Sequence, residues 1–534
     1  MSASPSPSKG RKPRKPFAPK WLVLTHRYLG VSLGLLMLVW FASGVGMLFI
    51  HWPEVTSEER AAGLPLMTWA QYRQAPADTP LSAGDLIEDL AGRPILRSGG
   101  EVFDLVTGRP LDGVSGEEAR WIAAAYARTH GLTARPAEVI AVERDQWTVT
   151  GYFNKRRPFW RVRFDDPLAS DIYVSQGDGE VSQHTDRAQR VLNWLGPIPH
   201  WLYPQVLRQD ARLWTQVVIW TSLAGVFLIA IGIYLGLVAW RPWRDERLTP
   251  FRGMMRWHHL FGLGAGVLTL TWTASGLLSM QPFGLLDSAP DPRAQAYRAA
   301  QEARVEAGPV LATLKAAAPK ARQVIVAPFQ GEAYLMVDGV RHDAAMRPAA
   351  LPPSDLAAAA KRLGGEQGLL TVEDAYWYGH HEPARLPVWR VIAADGTRYY
   401  LDPATGELLR SFGASARSYR WLHLGLHRLD FIRGFDRGGG WAAAMTALLG
   451  VCLVGIGAGV VLAWRRTRHD LGQLGRRLGQ FGRARRGWIG VRIQQLTPEI
   501  AEGMGLAGQK GALVAGVTGG GPAAKAGLAN GDLI

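Results

Sequence analysis

The sequence predicts an all-α membrane core of four transmembrane helices, arranged as two tandem helix–domain–helix repeats. Two α+β extracytoplasmic lobes and a partial β-rich tail complete the predicted fold. Three observations carry this prediction. Four apolar stretches, 21–50, 213–240, 257–280 and 441–464, are each long enough to cross a bilayer. The chain also repeats itself: Thr25–Gly44 aligns without a gap on Trp257–Gly276 at an offset of 232 residues. His26 falls on His258, Gly30 on Gly262, Gly34 on Gly266, Trp40 on Trp272, Ser43 on Ser275 and Gly44 on Gly276. Finally, a net charge of +15 over 534 residues is concentrated beside the spans.

That charge sets the orientation. Residues 1–20 hold Lys9, Arg11, Lys12, Arg14, Lys15 and Lys20, and the short loop 241–256 holds Arg241, Arg244, Arg247, Arg252 and Arg256. The linker 465–486 holds Arg465, Arg466, Arg468, Arg476, Arg477, Arg483, Arg485 and Arg486. All three fall on one side of the membrane, the positive-inside pattern. Both termini are therefore expected in the cytoplasm of a bacterial-type inner membrane, with 51–212 and 281–440 in the periplasm. The same clusters suit anionic membrane lipid, and no nucleic-acid partner is expected. The first span is not a cleaved signal peptide: it is too long, and His51-Trp52-Pro53 follows it instead of a small-residue cleavage site. The single cysteine, Cys452, excludes an intrachain disulfide, cysteine-based zinc sites and C-x-x-C-H haem attachment.

The repeat continues through the long regions. Pro158-Phe159-Trp160-Arg161-Val162 matches Pro387-Val388-Trp389-Arg390-Val391, and Trp194 and His200 match Trp421 and His427. Thr221, Gly225 and Gly232 match Thr446, Gly450 and Gly457. In 51–212 the spacing of Ala119, Ile122, Ala123 and Tyr126 predicts a helix over 117–129. Strands are expected at 146–152, 159–164 and 172–174. In 281–440 Ser354 is the expected N-cap of a helix reaching Arg362, with strands at 388–392 and 398–401.

The turn Tyr400-Leu401-Asp402-Pro403-Ala404-Thr405-Gly406-Glu407 is similar to that of PepSY domains. The stretch from Tyr376 to Phe431, with Arg420-Trp421-Leu422-His423-Leu424-Gly425-Leu426-His427, resembles the PepSY-associated transmembrane family, and the likeness covers about residues 20–468. This resemblance implies PepSY-like lobes on an inner-membrane protein that binds haem b and reduces ferric siderophores on the outer face. Other PepSY domains are associated with restraint of peptidases. Residues 487–534 resemble part of the PDZ domain of high-temperature-requirement serine proteases. The matching runs are Gly487-Trp488-Ile489-Gly490-Val491, Gly521-Pro522-Ala523-Ala524 and Gly531-Asp532-Leu533-Ile534. That likeness implies a peptidase or a peptide C-terminus as partner of the tail. The protease family carries its PDZ domains outside the cytoplasm, whereas the basic clusters place this tail inside.

Both copies bring histidine to their junction, where repeat-built membrane proteins place shared sites. His26 and His258 are expected to ligate a noncovalent haem b near the cytoplasmic side. Gly30, Gly34 and Gly44 share the face of His26, as Gly262, Gly266 and Gly276 share that of His258, and would clear room for a flat ring. Small-xxx-small helix packing explains the same glycines without a cofactor. His200 and His427 form an outer pair for a second haem. His423, one turn from His427, competes there, as does His51; His259 competes with His258, and the repeat alignment favours His258. Two ligands per iron suit electron transfer better than oxygen binding, and an inner and an outer haem would carry electrons across the bilayer. Arg27 and Arg256 are candidates for propionate contacts or plain topology signals. His380 and His381, beside Tyr376, Trp377 and Tyr378, could touch an iron chelate or be ordinary loop residues.

Other chemistries lack their residues. No second histidine follows His381-Glu382 at H-E-x-x-H spacing, and no G-x-S-x-G elbow or nucleotide fingerprint stands out. Without a flavin or nicotinamide site, the electron donor would be quinol or a separate reductase, and the acceptor a ferric siderophore. The competing reading is a non-enzymatic membrane scaffold that binds or restrains a peptidase. Transport, suggested by the repeats alone, lacks an acidic residue deep in a span.

Overall fold

A computed structural model describes residues 18–76, 79–240, 248–303, 305–379, 384–431, 438–482 and 488–534, with backbone alone for 477–482. His380, His381 and much of the three basic clusters lie outside the described residues. The chain divides into two compact units, Met1–Trp464 and Arg465–Ile534.

Helices Lys20–Met47 and Ala211–Ala239, together with Gly439–Arg476 of the long final helix, are long and apolar enough to cross a membrane. The expected third span differs: Gly253–Gly264 and Gly266–Ser279 meet at a 64° bend. The sequence contains the cause. Gly262, Gly264 and Gly266 weaken the helix there, whereas the aligned first helix has Ser32 in place of Gly264 and runs unbroken. The Ala265 carbonyl at the bend still accepts the Thr269 hydroxyl at 2.9 Å. Met37, Phe41, Trp272, Met445 and Cys452 form the apolar centre among these helices.

Two four-stranded antiparallel sheets lie in the long regions. Helix Gly116–Thr129, closed by a Ser115–Glu118 capping box, packs on Pro136–Val142, Phe159–Phe164, Asp171–Ser175 and Val181–Thr185. Helix Pro353–Ala360 packs on Glu366–Leu370, Val388–Ile392, Arg398–Leu401 and Leu408–Phe412. The strand expected at 146–152 does not form. The Asp145 carboxylate accepts the Trp147 and Thr148 amides at 3.0 and 3.2 Å, which turns the chain, and Pro136–Val142 takes the edge of the sheet instead. Ser354 is not the N-cap either: Pro352 occupies that position and Pro353, with its preset φ, is the first helical residue. Each sheet carries the same polar trio. Tyr173 donates to Asp145 at 2.7 Å with Arg161 at 3.4 Å, and Tyr400 donates to Asp374 at 2.9 Å with Arg390 at 3.0 Å.

The long regions are not independent. Leu86–Leu90 pairs antiparallel with Gln323–Val326, Ile87 opposite Val324, and this junction closes one seven-stranded sheet drawn from both regions. Glu88, fully buried at the junction, receives Arg97 at 2.7 Å and Arg60 at 2.9 Å. Burial alone would raise its carboxyl, but Arg97 and Arg60 outweigh that and hold it below the ordinary range.

In the second unit, Val491–Gln495 pairs antiparallel with Ala512–Val517, and Leu513 bridges to Leu533. Short helix Pro498–Gly503 lies between the two strands in sequence, and Pro522–Lys525 follows the second.

Candidate functional site

Four of the histidines singled out in the sequence come together as two pairs. His26 and His258 lie with ring centres 6.1 Å apart. His200 and His427 also lie 6.1 Å apart. Two imidazoles that held one metal between them would need a similar spacing. A metal–nitrogen bond of about 2.0–2.1 Å, plus roughly 1.1 Å from that nitrogen to the ring centre, puts the two centroids about 6.3 Å apart.

Hydrogen bonds fix the tautomers. His26 Nδ1 meets the Leu228 carbonyl at 3.1 Å, and His258 Nδ1 meets the Gly455 carbonyl at 3.0 Å. A carbonyl only accepts, so Nδ1 carries the proton and Nε2 keeps a lone pair for a metal. On the lobe side, His200 Nδ1 donates to the Trp40 carbonyl at 3.1 Å, with Ser43 Oγ at 3.4 Å. His427 Nδ1 meets Ser275 Oγ at 3.0 Å. Both serine hydroxyls donate to their own helix, to the Trp40 and Trp272 carbonyls at 3.0 and 3.1 Å, which leaves their oxygens free to accept from the imidazoles. Orientation of a ligating imidazole through its far nitrogen is the usual outer support of a metal site. Burial also lowers the basicity of the lobe-side rings. It depresses His200, and it drives His427, with help from the neighbouring His200 and His423, to about 3. These imidazoles are neutral, the form that ligates.

Glycines seat the rings. A Cβ on Gly232 would stand 2.7 Å from His26, and one on Gly459 would stand 2.9 Å from His258. On the lobe side Gly44 faces His200 at 3.5 Å and Gly276 faces His427 at 3.7 Å. Two expectations change here. Gly30 and Gly34 do not clear an empty face: they meet the side chains of Leu228 and Val460 at 4.0 and 3.5 Å, as helix packing requires, while Gly262 faces open space. The counterpart of Gly232 is Gly459, two residues beyond the Gly457 that the alignment pairs with it.

The competing histidines separate cleanly. His259 Nε2 donates to the Gly236 carbonyl at 3.0 Å, and its ring packs against Phe251 at 5.1 Å, so His258 is the member of the pair. His423 belongs to the lobe-side cluster: Nδ1 donates to the Ser275 carbonyl at 2.9 Å and the ring lies 5.5 Å from His427. Burial lowers it to about 4. His51, Arg27 and Arg256 are exposed. The supporting roles of Ser43, Ser275, Gly232 and Gly459 were missed from sequence, although the repeat had aligned the two serines. Among the described residues no group of three or more His, Cys, Asp or Glu side chains converges to hold a metal ion. Ser43 lies 17 residues beyond His26, so the two pairs stand about 25 Å apart along the first helix.

No protein-family model matches the chain. Short stretches are similar to probable periplasmic serine endoproteases, DegP-like. The Brucella suis protein is 45% identical over 78 residues, 15% of each chain. The Rhizobium meliloti protein is 49% identical over 53 residues, 10% of each, and a Pseudomonas putida protein is 51% identical over 57 residues, 11% of this chain and 12% of that one. The chain thus spans about 15% or less of the length of these curated relatives. The matches support a PDZ-like region.

Proposed function

We propose that this is a haem b-binding electron-transfer protein of the inner membrane, with four spans in two repeats and PepSY-like lobes on the periplasmic side. It would carry electrons from quinol or a separate reductase to an extracytoplasmic acceptor such as a ferric siderophore. The observation that carries the reading is the pair of 6.1 Å imidazole couples, each ring held through Nδ1. The residues fit the group: His26 and His258 would hold one haem, and His200 and His427 a second. Beside the latter pair the buried Trp40 indole N–H has no partner among the described residues. Haem held by these imidazoles would supply a one-electron iron couple. The protein's own part is to present Nε2, to fix the rings through Leu228, Gly455, Trp40 and Ser275, and to exclude water with Phe41, Trp272 and Met445.

The test is the absorption spectrum of protein purified from haem-replete cells. A b-type spectrum that falls by about half in His26→Ala/His258→Ala is the expected result, because one of two noncovalent sites loses both ligands. A colourless wild-type protein would sink the reading. A second reading, a scaffold that binds or restrains a peptidase, is favoured by the PDZ-like region. It predicts no pigment and capture of a protease by the full chain.

A further inference from the structure

We propose that His423 is a reserve axial ligand at the lobe-side site, present in the second half of the molecule and not in the first. The inference rests on the reading that His200 and His427 hold haem. When His200 is set on His427, the residue matching His423 is Gly196. There the first half brings backbone against backbone. A Cβ on Gly46 would stand 2.5 Å from the Leu195 carbonyl oxygen, and one on Gly196 would stand 3.2 Å from the Gly46 backbone. No side chain fits between them. The second half opens the same place. Leu278 replaces Gly46 in the aligned helix, and the chain widens into a π-helical turn, Arg420–Gly425, that admits an imidazole. Such turns interrupt regular helical hydrogen bonding and recur at functional sites.

His423 is also equipped as its neighbour is. Both rings hang by Nδ1 on one residue, His423 on the Ser275 carbonyl at 2.9 Å and His427 on the Ser275 hydroxyl at 3.0 Å. Both therefore keep a bare Nε2, with ring centres 5.5 Å apart. A packing residue at this position would need neither the nitrogen nor the anchor. If His427 is lost, His423 can take its place opposite His200 after a shift of about one helical turn. If His200 is lost, the place in the first half that matches His423 holds Gly196, which offers no imidazole.

The experiment compares haem content and low-spin absorption and electron paramagnetic resonance signals of the purified full-length variants. The signal of the His26–His258 pair serves as the folding control. His427→Ala is expected to keep a low-spin lobe-side haem within about twofold of wild type. His200→Ala, and His423→Ala/His427→Ala together, are expected to lose that signal by roughly 10–100-fold, the scale on which metal-site support fails. Equal losses in His427→Ala and His200→Ala, with the control signal intact, would overturn the proposal. Absence of pigment in wild type would instead overturn the haem reading itself, and this one with it.

Discussion

The two halves of the molecule treat their imidazoles alike and almost everything around them differently. His26 and His258 each donate Nδ1–H to a carbonyl of a neighbouring helix and each rest on a glycine of that helix. Yet the first histidine-bearing helix is straight and the second is bent by 64°. At the lobe end, bare backbone contact at Gly196 faces a π-helical turn with an added imidazole. What is held constant is the hydrogen bond that selects the tautomer and the small residue that seats the ring. Helix straightness and loop geometry vary freely. Those contacts are the ones on which a fixed, neutral Nε2 depends.

The largest expected effect tests what holds the halves together. Glu88 sits fully buried at the strand junction between them, between Arg97 and Arg60. Glu88→Gln should destabilise the lobes by about 3–5 kcal/mol, because it leaves two arginines facing a neutral amide. Thermal unfolding in detergent, read by lobe tryptophan fluorescence, measures it. The sign with pH follows from the lowered carboxyl. Glu88 stabilises the folded form above its unfolded pKa, and that contribution is lost as pH falls through the folded one. The gap between variant and wild type should therefore close below the ordinary carboxylate range. A gap independent of pH would mean that the ion pairs do not hold the junction.

Next in size is the glycine seat. Gly459→Ala should displace His258 and cut haem binding at that pair by roughly 10–100-fold, since its Cβ would stand 2.9 Å from the ring. Gly232→Ala should do the same through His26, at 2.7 Å. Gly457→Ala should be silent, as nothing lies within 4 Å of its Cβ position. Haem titration of the three purified variants decides it. If Gly457→Ala proves the damaging one, the contacts of the second half are misassigned and the sequence alignment stands.

These contrasts show where the chain could be read and where it could not. His26 and His258 were legible because the aligned stretches run 20 residues without a gap, and His200 and His427 because each follows an aligned tryptophan by six residues. The helix over Gly116–Thr129 was legible from its own apolar period, and the Ser115 cap that starts it was not used. The shared sheet was hidden for two reasons. Leu-Ile-Glu-Asp-Leu buries its charges, so no alternation marks it as a strand, and its partner Gln323–Val326 is more than 200 residues away. The choice between His258 and His259 was legible too, since the alignment sets His258 on His26, and the hydrogen bond of His259 to the Gly236 carbonyl agrees with it. Gly455, Gly457 and Gly459 offered three candidate seats at once, and only the packed rings select among them.

The smallest expected effect separates the lobe-side imidazoles. Ser275 Oγ lies 3.0 Å from His427 Nδ1, whereas Ser43 Oγ lies 3.4 Å from His200 Nδ1, which already donates to the Trp40 carbonyl at 3.1 Å. Ser275→Ala therefore removes the better-placed partner of a buried donor, and Ser43→Ala removes a secondary one. The first should weaken haem retention by about 1 kcal/mol, the net worth of one hydrogen bond, or roughly fivefold, and the second by a few tenths. Dissociation rates to apomyoglobin, measured for both variants in parallel, resolve differences of that size. Equal rates would show that neither imidazole depends on its serine, and that the serines only complete the helix turn. A slower loss from Ser43→Ala than from Ser275→Ala would tie the asymmetry to the residue that also anchors His423.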